Sequence, residues 1–513
     1  MTKSPSPAAP SMGAQYSTLI AALLGWMFDG FEMGLFPLIG QPALQDLLRS
    51  GDEKEAARWF GVIMAVFLVG AASGGVLFGW LGDKIGRVRA MSLSIVTYAI
   101  FTGACGWATE AWQIAVLRFV ASLGMGGEWS LGVALVNEIW PGKSRAFIAG
   151  LIGAAANVGF LMVALLSIGM TEVVTELQRM LTAAGLSAET VDELTRNKAW
   201  RFLMISGSLP ALLIFFIRIF VPESARWEEE HASGKTSNWN NADLVGVLCG
   251  CASAICIILV WSPLAAAYLH WAVSAVVTVF GLVGAATGFL YPVRQYLRRA
   301  AADGAMSEGN RSLIIRRMLL GAGLAGVALL GTWGSIQWAP RWAGKLPAGD
   351  PQAFMSKHAA AFTQLSTAIG AILGTILAAV AADKFGRRLT YAALCVGSFL
   401  SAVYFYRWHS QFDLRFLLAA FMAGGVTASF YGFFPLYFPE LFPTSVRATG
   451  QGFSFNFGRI LAAVGGLQTA NLMAIFGDDF SKAGSILAVI YLLGIGVILL
   501  GPETKVTGLQ EGG

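Results

Sequence analysis

The chain has 513 residues, of which 56% are hydrophobic and only 13% charged, about half the roughly 25% of an ordinary soluble protein. A soluble core cannot bury that much apolar surface and still cover itself with polar groups, so a water-soluble enzyme is excluded and lipid is the expected solvent. The net charge of +5 sits in scattered loops without a long basic run, which excludes a nucleic-acid partner.

Residues 1–16 are rich in Ser, Pro and Ala and read as a disordered N-terminus. A bilayer core of ~30 Å needs roughly 20 apolar residues per helix. Fourteen segments meet that need. Six lie near 17–39, 59–80, 89–108, 111–136, 146–168 and 200–221. Two follow near 244–262 and 268–291, and six close the chain near 313–338, 358–381, 389–406, 414–437, 448–470 and 483–501. The first carries two acids, unlike a cleavable signal peptide. The 169–199 loop is expected to hold a short amphipathic helix outside the membrane. The 244–293 stretch has no Asp, Glu, Lys or Arg and should face lipid or a partner. The five cysteines (Cys105, Cys249, Cys251, Cys256 and Cys395) all fall in apolar segments and form neither a ligand set nor a disulfide framework. No cofactor or metal is implied.

Three motifs recur in order. Gly79-Trp-Leu-Gly-Asp-Lys-Ile-Gly-Arg87 returns 300 residues later as Ala379-Val-Ala-Ala-Asp-Lys-Phe-Gly-Arg387. Glu138-Ile-Trp-Pro-Gly-Lys-Ser-Arg-Ala146 returns as Glu440-Leu-Phe-Pro-Thr-Ser-Val-Arg-Ala448, and Pro222-Glu-Ser224 as Pro502-Glu-Thr504. Each follows the second, fourth or sixth helix of a half. The expected architecture is therefore an all-α membrane protein: a six-helix bundle at 17–221, a connector with two extra helices at 222–312, a second six-helix bundle at 313–501 and a tail at 502–513. Lys/Arg placement puts both termini on the cytoplasmic side of a bacterial-type inner membrane. A charge-run pair, Asp83/Arg87 and Asp383/Arg387, then marks two cytoplasmic loops. Each serves either as a gate that bridges helices in one conformation or as a topology anchor.

A charge in mid-bilayer costs at least ~2.5–3.5 kcal/mol and is a functional candidate by default. Asp29 and Glu32 are three residues apart on one helical face. They either carry a coupled proton or pair with a buried Arg. Arg118 either binds a substrate carboxylate or holds a helix-1 acid. Glu128, behind Gly124, Gly126 and Gly127, is a coupling acid, a gate or a structural acid. The glycines read as close helix packing, because no strand–turn–helix context supports a nucleotide loop. Arg459 is either a substrate counter-ion or bonds a backbone carbonyl, and its counterpart at the 302-residue offset is Asn157. Gln337, beside Trp333 and Trp338, is either a substrate contact or a packed residue in an aromatic belt.

These residues resemble the major facilitator superfamily. Its loop signature between helices 2 and 3 stands here as Gly79, Leu81, Gly82, Asp83, Lys84, Gly86 and Arg87, and the second copy departs at Ala379. Arg118-Phe-Val-Ala-Ser-Leu-Gly-Met-Gly-Gly-Glu128 is similar to the metabolite:proton symporter branches. Asp29-Gly-Phe-Glu32 resembles the acid-Gly-Phe-acid element of aromatic-acid and sialic-acid symporters, with Glu32 where those families usually have Asp. The extra helix pair is similar to the sialate:proton symporter group, which is expected to have fourteen spans.

The resemblance implies a secondary transporter, acting as a monomer, that takes up a small organic anion with a proton. A sialic acid or other carboxylated sugar is the first expectation; an aromatic or short-chain carboxylate is second, and a neutral sugar is a further alternative. Drug:proton exporters carry a Gly-Pro-x-x-Gly-Gly element in helix 5, whereas residues 150–168 contain no proline. A non-transporting nutrient sensor would carry a long signalling tail, and a membrane enzyme would need a nucleophile, metal or nucleotide motif that the sequence does not offer.

Overall fold

The computed structural model describes residues 11–48, 53–140, 144–262, 265, 268–304, 307–350, 353–467, 473, 475–477 and 479–505. Within them the chain is helical apart from short turns, and the described residues hold one isolated bridge, Ala348 to Phe412. The first half comprises α1 (Met12–Leu48), α2 (Glu53–Ile85), α3 (Arg87–Ala104), α4 (Ala111–Ile139) and α5 (Arg145–Ile168). Then come α6 (Met170–Ala183), α7 (Ala188–Ser206), α8 (Leu213–Phe220) and α9 (Ala225–Ala232). The inserted pair is α10 (Leu244–Trp261) and α11 (Trp271–Ala302). The second half runs through α12 (Glu308–Gly334), α13 (Ala359–Phe385), α14 (Arg387–Arg407), α15 (Leu414–Ala428) and α16 (Phe430–Leu441). It closes with α17 (Arg447–Asn456), α18 (Gly458–Leu467), α19 (Phe480–Leu487) and α20 (Ile490–Leu499).

Among the described residues, twelve helices are long and apolar enough to cross a membrane, not the fourteen expected. The two that fall short are the segments expected at 200–221 and 448–470, and both are interrupted. In the first, Arg196 to Ala199 leave helical geometry, with Asn197, Lys198 and Ala199 at positive φ. Asp46 at the end of α1 fixes this bend by accepting from Asn197 Nδ2 (3.1 Å) and Trp200 Nε1 (3.0 Å). Pro210, which lacks an N–H, then opens a 3-10 turn at Leu209–Leu212 before α8. In the second, the Ile460 N–H bonds the Phe457 carbonyl three residues back, which splits the segment into α17 and α18. Residues 468–472 lie outside those described.

Other boundaries also moved. α1 starts at Met12, so residues 12–16, expected to be disordered, are helical; residues 1–10, like 506–513 of the expected tail, lie outside those described. α12 ends at Gly334, where Ser335 breaks the helix (φ −129°, ψ −83°). The expected amphipathic element of the 169–199 loop is α6, which buries little beyond Met170 and Leu177.

The halves meet along two seams, α5 against α13 and α16, and α2 against α17 and α18. Small residues make this possible. A Cβ on Gly150 would come within 2.7 Å of Ile376 Cα, and one on Gly153 within 2.7 Å of the Gly432 nitrogen. The inserted pair packs on the second seam, with α10 against both α2 and α18. Its outer face exposes Leu248, Val276, Val279, Phe280 and Val283, the apolar surface a lipid-facing hairpin requires.

Candidate transport site and gate

The five intramembrane charges are all buried: Asp29, Glu32, Arg118, Glu128 and Arg459 are each at least nine-tenths enclosed. α1 supplies Asp29 and Glu32 from one face, α4 supplies Arg118 and Glu128, and α18 of the other half supplies Arg459. Gly30 of α1 meets the backbone of Ala156 in α5, and no side chain fits between them, so the two helices cross at Asp29. Glu32 forms an ion pair with Arg118 and accepts a hydrogen bond from Thr102 Oγ1 at 3.3 Å. The Arg118 guanidinium is sandwiched by the rings of Phe36 (4.5 Å) and Phe67 (4.6 Å). That charge is matched and shielded.

The remaining charges are not matched in the same way. Asp29 lies in the field of Glu128, Glu32 and Arg459, and the Glu128 carboxyl packs against Gly25 of α1. Asp29 Oδ1, Glu32 Oε2, Glu128 Oε2, Trp26 Nε1, Tyr98 OH, Asn456 Oδ1 and Arg459 Nη1 are buried without a hydrogen-bond partner. Native interiors pair the large majority of buried polar atoms, and each orphan costs about 1–3 kcal/mol. Those of Asp29, Glu128, Asn456 and Arg459 make this part of the structure its candidate polar binding site. Aromatic rings close its floor. Trp129 of α4 stacks on Phe455 of α17 (3.9 Å between centroids, 12° apart), Trp26 lies 5.8 Å from Trp129, and the Arg459 guanidinium sits 5.5 Å from the Phe455 ring.

Along α4 three side-chain bonds stitch this helix to the other half. Asn456 Nδ2 donates to the Gly126 carbonyl (3.2 Å), Gln451 to the Ser130 carbonyl, and Asn137 Nδ2 to the Pro435 carbonyl (3.1 Å). The stitching ends in a buried ionic cluster. Asp83 accepts from the backbone N–H groups of Ala448 (3.2 Å) and Thr449 (2.9 Å), from Thr449 Oγ1 (2.6 Å) and from Arg87 (2.7 Å). Its carboxylate therefore sits on the N-terminus of α17, where backbone donors and the helix dipole favour an anion. Arg87 also donates to the Thr444 carbonyl (2.8 Å) and, with Arg447, flanks Glu138 (3.3 and 2.8 Å). The end of the molecule that carries the repeated loops is thus sealed.

Residues 18–239 match the family model for "Sugar (and other) transporter". The cis,cis-muconate transport protein of Acinetobacter baylyi is 27% identical over 79% of this chain and 76% of its own length. The niacin transporter NiaP of the same organism is 23% identical over 97% of this chain and 96% of its own. The sialic acid transporter NanX of Escherichia coli is 27% identical over 44% of this chain and 48% of its own. The solved major facilitator proton:xylose symporter XylE superimposes over 97% of this chain and 98% of its own, with a TM-score of 0.64 at 17% identity. The chain has the major facilitator fold over nearly its whole length, and its first half matches a transporter family model.

In this transporter the expected site residues divide into groups. Asp29, Glu128 and Arg459 share the site between the halves. Glu32 and Arg118 lie beside it as a closed ion pair, which is the second of the two readings the sequence left open for Arg118. Asn157, expected opposite Arg459, gives its amide to the Gly153 carbonyl of its own helix (3.0 Å). Gln337 falls in the 3-10 turn after α12 and is exposed, away from the buried cluster. Of the loop residues, Asp83 and Arg87 are buried and bridge the halves. Arg387 binds Glu440 (2.7 Å) of its own half, while the Asp383 side chain is 55% exposed and 3.6 Å from Arg387. Gly126 of the Gly-rich run presses on the Ala71 backbone, as close packing predicts. The sequence reading missed Tyr98, Trp26, Trp129, Phe455 and Asn456. Each is an unremarkable residue in an apolar helix, and only the fold brings them to the charges. Glu138 and Arg447 were visible in the repeated loop motif but were not assigned to the gate.

Proposed function

We propose that the transporter takes up a small organic anion together with a proton by alternating access. Both termini lie in the cytoplasm of a bacterial-type inner membrane, and the broken segments 200–221 and 448–470 complete fourteen spans in a monomer. The observation that carries the reading is Arg459: a buried guanidinium at the interface of the halves with an unpartnered Nη1, among carboxyls that can hold a proton. Arg459 binds the substrate carboxylate. Glu32 and Arg118 keep α1 on α4, Asp29 and Glu128 are the acids available for coupling, and Asn157 and Gln337 play no direct part in anion binding. The state described here is closed to the cytoplasm through Asp83, Arg87, Glu138 and Arg447, and these contacts break when the halves rock inward.

The wall around Arg459 favours a planar unsaturated carboxylate over a carboxylated sugar. It offers the rings of Trp26, Trp129, Tyr431 and Phe455, faces on which a flat unsaturated acid can stack, beside the free amide oxygen of Asn456. The muconate and niacin relatives support the same choice, and the sialic acid relative keeps the sugar acid as the second reading. The test is counterflow in proteoliposomes with nicotinate, cis,cis-muconate, N-acetylneuraminate and xylose. Exchange of the planar acids, lost in Arg459→Gln, supports the reading. Exchange of xylose alone, unchanged in Arg459→Gln, refutes it.

A further inference from the structure

The rings beside the site come from both halves and form one layer. Trp26 of α1 and Trp129 of α4 meet Phe434 and Phe438 of α16 and Phe455 of α17, and each is at most 5% exposed. Trp129 lies flat on Phe455 (3.9 Å, 12°) and edge-on to Phe438 (6.2 Å, 78°). Phe434 stacks on Phe438 (4.7 Å, 20°) and meets Phe455 at 6.1 Å. Bonds across the interface bracket the central stack. Asn456, next to Phe455, donates to the Gly126 carbonyl (3.2 Å), and Gln451 donates to the carbonyl of Ser130, next to Trp129. Around the rings the backbones touch. A Cβ on Gly126 would collide with the Ala71 carbonyl, and one on Gly452 with the Gly75 carbonyl, so α4 and α17 both press on α2.

The layer divides two polar zones. At 1.5 Å of rise per residue, Arg459 lies ~6 Å past Phe455 and Asp29 ~4–5 Å past Trp26. In the other direction Thr449, which holds Asp83, is ~9 Å from Phe455, and Glu138 is ~13–14 Å from Trp129. The zone on that side is polar throughout. Gln451 Oε1, Asn137 Oδ1 and Glu138 Oε2 are buried there without hydrogen-bond partners, which are the groups that ordered water satisfies.

We propose that this ring layer is a second, apolar gate in series with the ionic cluster, and that the Trp129–Phe455 stack is its closure. The two barriers do different work. The cluster of Asp83, Arg87, Glu138 and Arg447 holds the halves together, but it is built of charged and hydrogen-bonded groups, which water readily joins. Close-packed rings leave no space for water, so they keep the transport site dry on that side when the cluster loosens. Opening then has two steps: the cluster releases first, and the site is exposed only when Trp129 and Phe455, which belong to opposite halves, slide apart. From the proposed function the inference takes only the place of the site at Asp29 and Arg459 and the cytoplasmic face of the repeated loops.

The test uses the full-length chain with its five native cysteines replaced, in inside-out membrane vesicles, and the membrane-impermeant thiol reagent MTSET without substrate. Asp83→Asn is present throughout to loosen the cluster. Single cysteines report the two zones: Asn137→Cys on the cluster side of the rings and Asp29→Cys beyond them. Trp129→Ala leaves a gap large enough for water. It should raise the labelling rate of Asp29→Cys about tenfold and leave that of Asn137→Cys where it was. Phe455→Ala, which removes the other member of the stack, should give the same pattern, and Trp129→Phe, which keeps a ring on Phe455, should label like its parent. If both alanine variants leave the Asp29→Cys rate unchanged, the rings are not a barrier and the inference is overturned. An equal rise at both cysteines also overturns it, because the halves have then spread without a separate layer being breached. The labelling needs no substrate, so its outcome is independent of the counterflow that tests the anion reading.

Discussion

Replacing Asp83 by Asn should open the end of the transporter that carries the repeated loops, and replacing Asp383 should not. In the closed state the two Asp83 oxygens divide the work: Oδ1 receives the Ala448 N–H and Arg87, and Oδ2 receives the Thr449 N–H and hydroxyl. An amide keeps one acceptor and turns an NH2 toward donors, so at least one set of bonds to the other half is lost. Hydrogen bonds to a charged group are worth about 1.5–3 kcal/mol each. The change also removes the carboxylate that pairs with the buried Arg87 guanidinium. A loss of about 2–3 kcal/mol moves the closed/open ratio about 30- to 150-fold. Asp383 is more than half exposed and only 3.6 Å from Arg387, a pair of the kind worth at most about 1 kcal/mol. The assay is electron–electron double resonance between labels at Arg89→Cys and Lys384→Cys, both exposed positions, in a chain whose five native cysteines are replaced. The long-distance population should grow strongly in Asp83→Asn and hardly in Asp383→Asn. Equal shifts, or no shift in Asp83→Asn, would refute the assignment of the seal to Asp83.

Glu32→Gln strands the buried Arg118 charge and should destabilise the protein by about 3–5 kcal/mol, seen as a clear drop in melting temperature. Gly150→Ala places a methyl against Ile376 Cα, and the overpacking, about 1–3 kcal/mol, should favour the open form in the same distance measurement. Trp239→Ala removes both a stack on Tyr296 (4.4 Å) and a bond to the Ser445 carbonyl (3.3 Å), and should shift that distribution the same way by several-fold. Outside the spans, two related acids should respond to pH in opposite directions. Burial pushes Glu503 up, but the N–H groups of Arg387, Arg388 and Lys505 outweigh it and hold the carboxyl below its ordinary range. Glu503 therefore adds stability above the unfolded carboxyl pKa and loses it as pH falls through the folded value. For Glu223 burial wins over the N–H donors of Ser224, Arg87 and Val88, and the carboxyl lies above its ordinary range. Its contribution is greatest at low pH and declines as pH rises from the unfolded pKa to the folded one. Melting temperatures of wild type relative to Glu503→Gln should fall as pH drops below the ordinary carboxyl pKa of about 4.3, and those relative to Glu223→Gln should fall as pH rises above it.

How much of this was legible in the sequence follows from the range of each interaction. Hydropathy is local, so the uninterrupted spans and the inserted hairpin could be read directly. The interruption at 200–221 was signalled by Gly207 and Pro210, but the bend at Arg196–Ala199 depends on Asp46, about 150 residues away in the chain. The break at Phe457 is marked locally only by Gly458, one of many glycines in the apolar runs. Each buried charge was conspicuous, because a charge in an apolar run is conspicuous anywhere. Its partner was not: Glu32 finds Arg118 from 86 residues away, and Asp83 finds Thr449 from 366. The offset between repeats predicted Asn157 opposite Arg459, yet Asn157 spends its amide on Gly153. An offset conserves the backbone position but not the direction in which a side chain finds its hydrogen bond.

The same limitation explains why two near-identical loops do different work. Asp83 and Asp383 occupy matching places, and so do Arg87 and Arg387, Glu138 and Glu440, and Glu223 and Glu503. What differs is the connector. Trp227 Nε1 donates to the Asp83 carbonyl (3.0 Å), Lys84 bonds Asn241, and Trp239 reaches Ser445 in the other half. Arg299 at the foot of α11 binds Asp243 and the Asn238 carbonyl (2.6 Å), which fixes the connector to the inserted hairpin. This layer lies over the first loop and not the second, so Asp83 is dry and Asp383 is wet. Water screens the second ion pair to a small fraction of its dry strength, whereas the first keeps the full energy of a charge-assisted cluster. The two repeated loops thus differ in what covers them: the connector lies over the first. The helix pair enters through Arg299, which holds this connector in place over the first loop.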